Sequence, residues 1–312
     1  MAQQRRRTTT RRFSVGIAPV SFGAQVRLVL VMALWASCFP LIAVGLELAP
    51  HLAFAALRAA TGGIALIGVS LILRRPMPRD AGAWGMIVLL GLSATSLGFL
   101  GMFHGAAFLS PGLATLIFST QPLVAAVLGR MFLGERLTAR GALGLVLGFT
   151  GVAIASWPQL TSPSASLYLT GAGFVIAAAA GTAVGNVVMK RISQSVDAVT
   201  AVGWSLTLGA IPLAIASAAT EDIAIAWSSE FVAALAVLSL FGTALAFWLW
   251  FEALKSAPLS AANAFSFLVP VFALALGGVF FGERVGFPEI AGAGLIIAGV
   301  AMAQRRSALH GL

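Results

Sequence analysis

Two short polar stripes set in apolar sequence are where this chain could do chemistry. Thr115, Ser119 and Pro122 follow an i, i+4, i+7 spacing, so they share one face of a helix. Asn263, Ser266 and Pro270 follow i, i+3, i+7 farther along. Hydroxyls, a carboxamide and the carbonyl that a proline frees are groups that hydrogen-bond a small solute. An Asn against lipid is costly, so both stripes are expected to line a central cavity, with Pro122 and Pro270 as hinges. The competing reading is helix packing, which small polar residues and proline also serve.

Other candidates surround these stripes. Thr95, Phe99 and Phe103 repeat as Thr243, Phe247 and Phe251, with Trp248 and Trp250 beside the latter. Such rings can wall a site for an apolar or aromatic group, or else sit at the membrane interface. Trp35, Ser37 and Cys38 make a second polar patch, matched by Asn186. Arg58 is the single deep basic residue; it can clasp a carboxylate, pair with Glu47 or reach outward. His104 and Glu252 occupy matched positions and are candidates to carry a coupled proton. One cysteine and three histidines form no metal-ligand spacing, so no metal and no cofactor are expected.

What must position these residues follows from composition. Of 312 residues, 59% are hydrophobic and 9% charged. A soluble domain carries about 25% charged residues and cannot hide this much apolar surface. A bilayer can, at ~20 apolar residues per helical span. Ten spans are expected, at 26–46, 51–73, 84–105, 110–133, 140–157, 167–189, 198–219, 231–253, 258–281 and 288–303. The net charge of +9 does not indicate nucleic-acid binding, because the basic residues collect on one side of these spans. With the N-terminus inside, inner loops hold Arg74, Arg75, Arg79, Arg136, Arg140, Lys190, Arg191 and Lys255. The outer loops hold Arg284 as their one basic residue, against six acids. Both termini are therefore expected in the cytoplasm, in a cell inner membrane.

An internal repeat organises the spans. Gln121-Pro122 running to Gly134-Glu135-Arg136 returns as Val269-Pro270 running to Gly282-Glu283-Arg284, with 148 residues between Glu135 and Glu283. The two Gly-Glu-Arg turns read as structural, and the glycines after them (Gly141, Gly144, Gly148, Gly151; Gly292, Gly294, Gly299) as close-packing surfaces. Five spans per half is an odd number, so the second half enters the membrane in the opposite sense. Inverted repeats place a solute site between the halves and work by alternating access. The divisions are a basic N-terminal arm (1–23), a first repeat (24–157), a linker (158–166), a second repeat (167–304) and a tail (305–312).

On these residues the chain resembles the drug/metabolite transporter superfamily, in particular its EamA-type ten-span members. The resemblance runs over about residues 28–303. It is carried by Trp35-Ala36-Ser37-Cys38-Phe39-Pro40, by the run from Ala114 to Pro122 with its Gly134-Glu135-Arg136 ending, and by the second copy of that ending. It implies export of amino acids or related metabolites, with Trp35 near the cavity. Superfamily relatives move sugar phosphates, nucleotide sugars or drugs, but the basic pair expected for phosphate is missing here. The aromatic wall with one deep arginine favours neutral, apolar or aromatic amino acids. A drug or nucleobase transporter of the same fold, a membrane-embedded enzyme and a non-transporting scaffold are the alternatives. An enzyme needs convergent acid–base groups at membrane depth, and the carboxylates here lie at loops. No Gly-Lys-Ser/Thr loop is present, so ATP does not drive the chain in the P-loop manner. The expected partners are a small-molecule substrate and the lipid bilayer, with the chain acting as a monomer.

Overall fold

The computed structural model describes residues 22–304 except 106–107, 110, 135–138, 161–164, 258, 270–271, 273–275 and 277–285. All regular structure among the described residues is helical. In chain order the helices are α1 (Phe22–Leu46), α2 (His51–Ile72), α3 (Ala81–Gly105), α4 (Pro111–Phe118), α5 (Gln121–Leu133), α6 (Ala139–Leu160), α7 (Ala165–Ile192), α8 (Ala198–Thr220), α9 (Ser229–Ser256), α10 (Leu259–Ala264) and α11 (Phe287–Gln304). Six of them, α1, α2, α3, α7, α8 and α9, are long and apolar enough to cross a membrane. Large apolar side chains such as Ile64, Ile72, Phe149 and Ile215 stand exposed on the outside of the bundle. Water would penalise such a surface, and lipid does not.

Local chemistry sets the helix ends. Asp80, Asp197 and Ser228 accept backbone N–H groups of Ala83, Thr200 and Phe231 and so start α3, α8 and α9. Lys190, in the last turn of α7, donates to the carbonyls of Leu254 and Ala257, which close α9. The single span expected over 110–133 is two helices, α4 and α5, parted at Ser119 and Thr120. Pro122 explains the break: it has no N–H to offer residue 118, and its ring crowds that carbonyl. Thr120 satisfies the loose end by donating its hydroxyl to the Ile117 carbonyl at 2.8 Å. The matching stretch of the second repeat is also interrupted, α10 giving way to a 3-10 turn at Phe265–Phe267. Glu135-Arg136, Pro270 and the whole of Gly282-Glu283-Arg284 lie outside the described residues.

The repeat shows in a second irregularity. Within α3, Gly91–Leu97 is wound as a π-helix, and within α9 so is Leu238–Leu245. These stretches correspond at the 148-residue spacing. A π turn carries one extra residue and aims the following side chains differently from a regular helix.

Packing joins the two repeats closely. α2 lies along α8, with Ser70 and Thr200 hydrogen-bonded at 2.8 Å. One core gathers Leu28, Met32, Leu90, Met189, Leu206 and Trp250; another gathers Phe54, Phe103, Leu213 and Phe231. α6 and α11 meet through glycines: a Cβ on Gly299 would lie 2.5 Å from the Gly144 carbonyl oxygen, and one on Gly151 2.6 Å from that of Gly292. A Cβ on Gly294 would meet nothing within 4 Å among the described residues. Gly299→Ala is therefore expected to cost about 1–3 kcal/mol through forced separation of α6 and α11. Gly294→Ala is expected to be neutral. Thermal unfolding of the two purified variants, side by side, checks this, and equal midpoints would refute it.

Candidate functional site

A cavity of about 90 Å³ lies where the irregular backbone is. The break between α4 and α5 presents Phe118, Ser119, Gln121 and Pro122 to it. The interrupted segment after α10 presents Ser266 and Val269. Backbone freed from regular helix at membrane depth is tolerated where it lines a cavity. Four lining pairs stand at the repeat spacing: Cys38 with Asn186, Phe99 with Phe247, Phe118 with Ser266, and Gln121 with Val269. The cavity thus draws on corresponding parts of both repeats.

Its wall is aromatic on one side. Trp35 meets Phe247 edge-on at 5.9 Å between centroids, and Phe247 meets Phe99 edge-on at 6.4 Å. Trp250 backs Trp35 at 5.4 Å. Edge-to-face rings reinforce one another and hold the wall rigid.

Arg58 is the charged group of the described lining. It lies about 10 Å along α2 from that helix's first residue, at 1.5 Å per residue, and is only 3% exposed. Its Nε donates to Thr243 Oγ1 at 2.7 Å. Its Nη2 reaches Cys38 Sγ and the Gly242 carbonyl, both at 3.4 Å. The Phe99 ring lies 4.8 Å beneath its Cζ. Nη1 has no hydrogen-bond partner among the described residues. Thr243 and Gly242 belong to the π stretch of α9, where Thr243 also donates to the Leu238 carbonyl five residues back. The π stretch thus supplies the guanidinium with both a hydroxyl and a backbone carbonyl.

The expected residues divide as follows. Trp35, Arg58, Phe99, Ser119, Pro122, Phe247 and Ser266 line the cavity. Asn263 is buried outside the lining, and Asn186 Nδ2 lies 3.5 Å from its Oδ1. Asn186 lines the cavity and accepts from Trp250 Nε1 at 2.9 Å. Thr95 is set apart from the cavity, buried where a Cβ on Gly209 would strike it; its counterpart Thr243 is the one that reaches the site, through Arg58. Trp248 packs on the main core instead of the cavity. Thr115 stands on α4. Glu252 is paired with Lys255 at 2.6 Å. Sequence reasoning missed Thr182, Met102 and Ile42, which carry no polar pattern or repeat signature; Gln121, in the repeated Gln-Pro run, offered a signal.

A second cluster joins the repeats at one end of the bundle. α2 starts after Pro50 with no side chain of its own to cap it. Glu221, at the end of α8, supplies the cap: its two oxygens accept the N–H groups of Leu52 and Ala53, each at 2.9 Å. The Ser217 hydroxyl donates to it at 2.7 Å, and His51 Nδ1 lies 3.0 Å away. His51 Nε2 continues the chain to His104 Nδ1 on α3. Burial pushes the Glu221 carboxyl upward, but the hydrogen bonds from Leu52, Ser217 and Ala53 prevail and hold it below the usual carboxylate range. Negative charge at a helix N-terminus is also favoured by the helix dipole.

Comparison with known proteins adds the following. The model of the EamA-like transporter family matches residues 24–157 and again residues 169–304. A chloroplastic WAT1-related protein of Arabidopsis thaliana is 30% identical over 255 residues, which are 79% of this chain and 61% of that protein. A protein of Salmonella typhimurium named a probable amino-acid metabolite efflux pump is 29% identical over 289 residues, covering 87% of this chain and 91% of that one. One solved crystal structure shares the fold, with a TM-score of 0.69 over 90% of this chain and 96% of its own, at 20% identity.

Proposed function

This chain belongs to the EamA-like transporter family, a family of transporters and not of enzymes, and we propose that it exports neutral, apolar or aromatic amino acids or their small metabolites. The single observation that carries the reading is the cavity lined at matched positions by both repeats, with apolar rings and, against Phe99, the guanidinium of Arg58. A rigid aromatic wall takes the side chain of such a solute, and the guanidinium takes its carboxylate. Names borne by relatives, such as the Salmonella efflux pump, agree with this substrate class.

In the proposed mechanism the ten spans form two inverted five-helix repeats, with both termini cytoplasmic in the inner membrane. The repeats rock about the cavity so that it opens to one side at a time. Pro122 and Pro270 mark the joints. Glu221, bonded to α2 across the repeat boundary, is one contact that such rocking must break or carry along. Of the two residues considered for proton coupling, His104 is the stronger candidate, since it ends a hydrogen-bonded chain from Glu221 while Glu252 is engaged by Lys255.

The test is uptake into proteoliposomes of labelled amino acids, nucleobases and drug-like cations by wild type and Phe247→Ala. Flux of apolar amino acids or their metabolites is expected, falling at least about tenfold in the variant, the scale of an aromatic contact plus its buried area. Movement of only a cation or a nucleobase would overturn the substrate class.

A further inference from the structure

The charge inventory of the cavity narrows the solute further. Arg58 is almost wholly buried, yet each of its described partners is neutral: a hydroxyl, a thiol, a carbonyl and two phenyl faces. Its Nη1 is left without a hydrogen bond. A guanidinium at membrane depth without a counter-charge is costly, and the cost falls when an anion arrives. No Asp or Glu stands among the described lining residues. Four of the described acids are engaged elsewhere: Asp80 and Asp197 cap helices, Glu221 caps α2, and Glu252 pairs with Lys255. An ammonium entering the cavity would meet only neutral oxygens, such as the hydroxyls of Thr182 and Ser266. Ser119, Gln121 and Asn186 of the described lining are neutral as well.

We propose that the cavity selects apolar monocarboxylate anions lacking a free ammonium group, the deaminated or N-acylated relatives of apolar amino acids, over the amino acids themselves. The inference rests on the transporter reading given above and assigns its substrate class. Arg58 clasps the carboxylate, the ring wall of Trp35, Phe99 and Phe247 covers the apolar body, and a cation is excluded by the unneutralised guanidinium. An amino-acid zwitterion keeps the carboxylate contact but must strip water from an ammonium that finds no counter-charge.

Three ligands of one shape and different charge decide it: 3-phenylpropanoate (−1), phenylalanine (zwitterion) and phenethylamine (+1). Binding is measured by calorimetry on the purified full chain in nanodiscs at neutral pH. 3-Phenylpropanoate is expected to bind at least about tenfold more tightly than phenylalanine, whose ammonium is desolvated with no counter-charge, with phenethylamine not binding. Arg58→Gln is expected to erase the preference for the anion, and Arg58→Lys to keep part of it. Equal or tighter binding of phenylalanine would overturn the proposal while leaving the amino-acid transporter reading intact. Binding of phenethylamine above the other two would overturn both. No binding of any of the three to folded protein would also overturn the proposal, and the proteoliposome panel then shows whether the transporter reading stands. The ligand series on the unaltered protein settles the matter even where an Arg58 variant fails to fold.

Discussion

Glu221→Ala is expected to lower the stability of the folded chain by about 3 kcal/mol, the worth of two hydrogen bonds to a charged acceptor. The side chain is 7% exposed and holds Leu52, Ala53, Ser217 and His51 together. Its removal leaves the first turn of α2 with unsatisfied donors. The effect carries a pH signature whose sign is fixed. The folded carboxyl sits below its unfolded value of about 4.3. Its contribution is therefore present in full above about pH 5 and is lost as pH falls through the folded value. Thermal unfolding from pH 3 to 7 should show wild type and variant well apart near neutrality and converging in acid. A constant gap across that range would mean that the charge of Glu221 is not what holds α2. His51 and His104 face the same carboxylate chain, so His51→Gln provides a variant that keeps the cap while removing the second histidine link.

Arg58→Met is expected to act in the opposite direction on stability while abolishing ligand binding. Methionine retains much of the apolar stem and removes a buried charge that no described acid neutralises. Replacing buried ionic groups with apolar ones of similar volume is commonly neutral or stabilising, by about 1–4 kcal/mol. The partners left behind lose little: Thr243 keeps its bond to the Leu238 carbonyl, and Cys38 keeps its bond to the Leu34 carbonyl at 3.3 Å. The unliganded variant should unfold at or above the wild-type temperature and bind 3-phenylpropanoate at least about a hundredfold more weakly, two lost charge-assisted bonds. A sharp drop in the unfolding temperature would instead make Arg58 a strut between α2 and α9.

Both expectations depend on what apolar sequence reveals and what it conceals. Long apolar runs bounded by polar clusters made α1, α2, α3, α7, α8 and α9 readable, since a bilayer demands that length. The 148-residue spacing pointed to Phe99 with Phe247 and Cys38 with Asn186, because ring and polar identities rarely coincide by chance in a sequence of Leu and Ala. Winding was hidden. Nothing in Gly91–Leu97 or Leu238–Leu245 marks a π turn, and since both copies carry one, Thr95 and Thr243 part by their neighbours: Arg58 reaches Thr243, while Thr95 packs beside Gly209. The break at Ser119 and Thr120 was legible as a hinge at Pro122 but not as two separate helices. Met102, Ile42 and Thr182 reach the cavity by tertiary packing, which an apolar pattern shared by lipid-facing and cavity-facing positions cannot distinguish. His51, His104 and Glu221 are far apart in sequence and sit at the ends of three helices; their meeting depends on how those helices pack.

The Glu221 cap has a consequence for how the chain is made. Leu52 waits for an acceptor that lies 169 residues later. A ribosome adding roughly 5–20 residues per second delivers that acceptor roughly 10–30 s after Leu52 itself is joined. Through that interval α2 is an inserted helix with an open first turn, satisfied by water or headgroups. Completion of an early helix therefore belongs to a late moment of synthesis, and a nascent chain stalled before Glu221 lacks this cap.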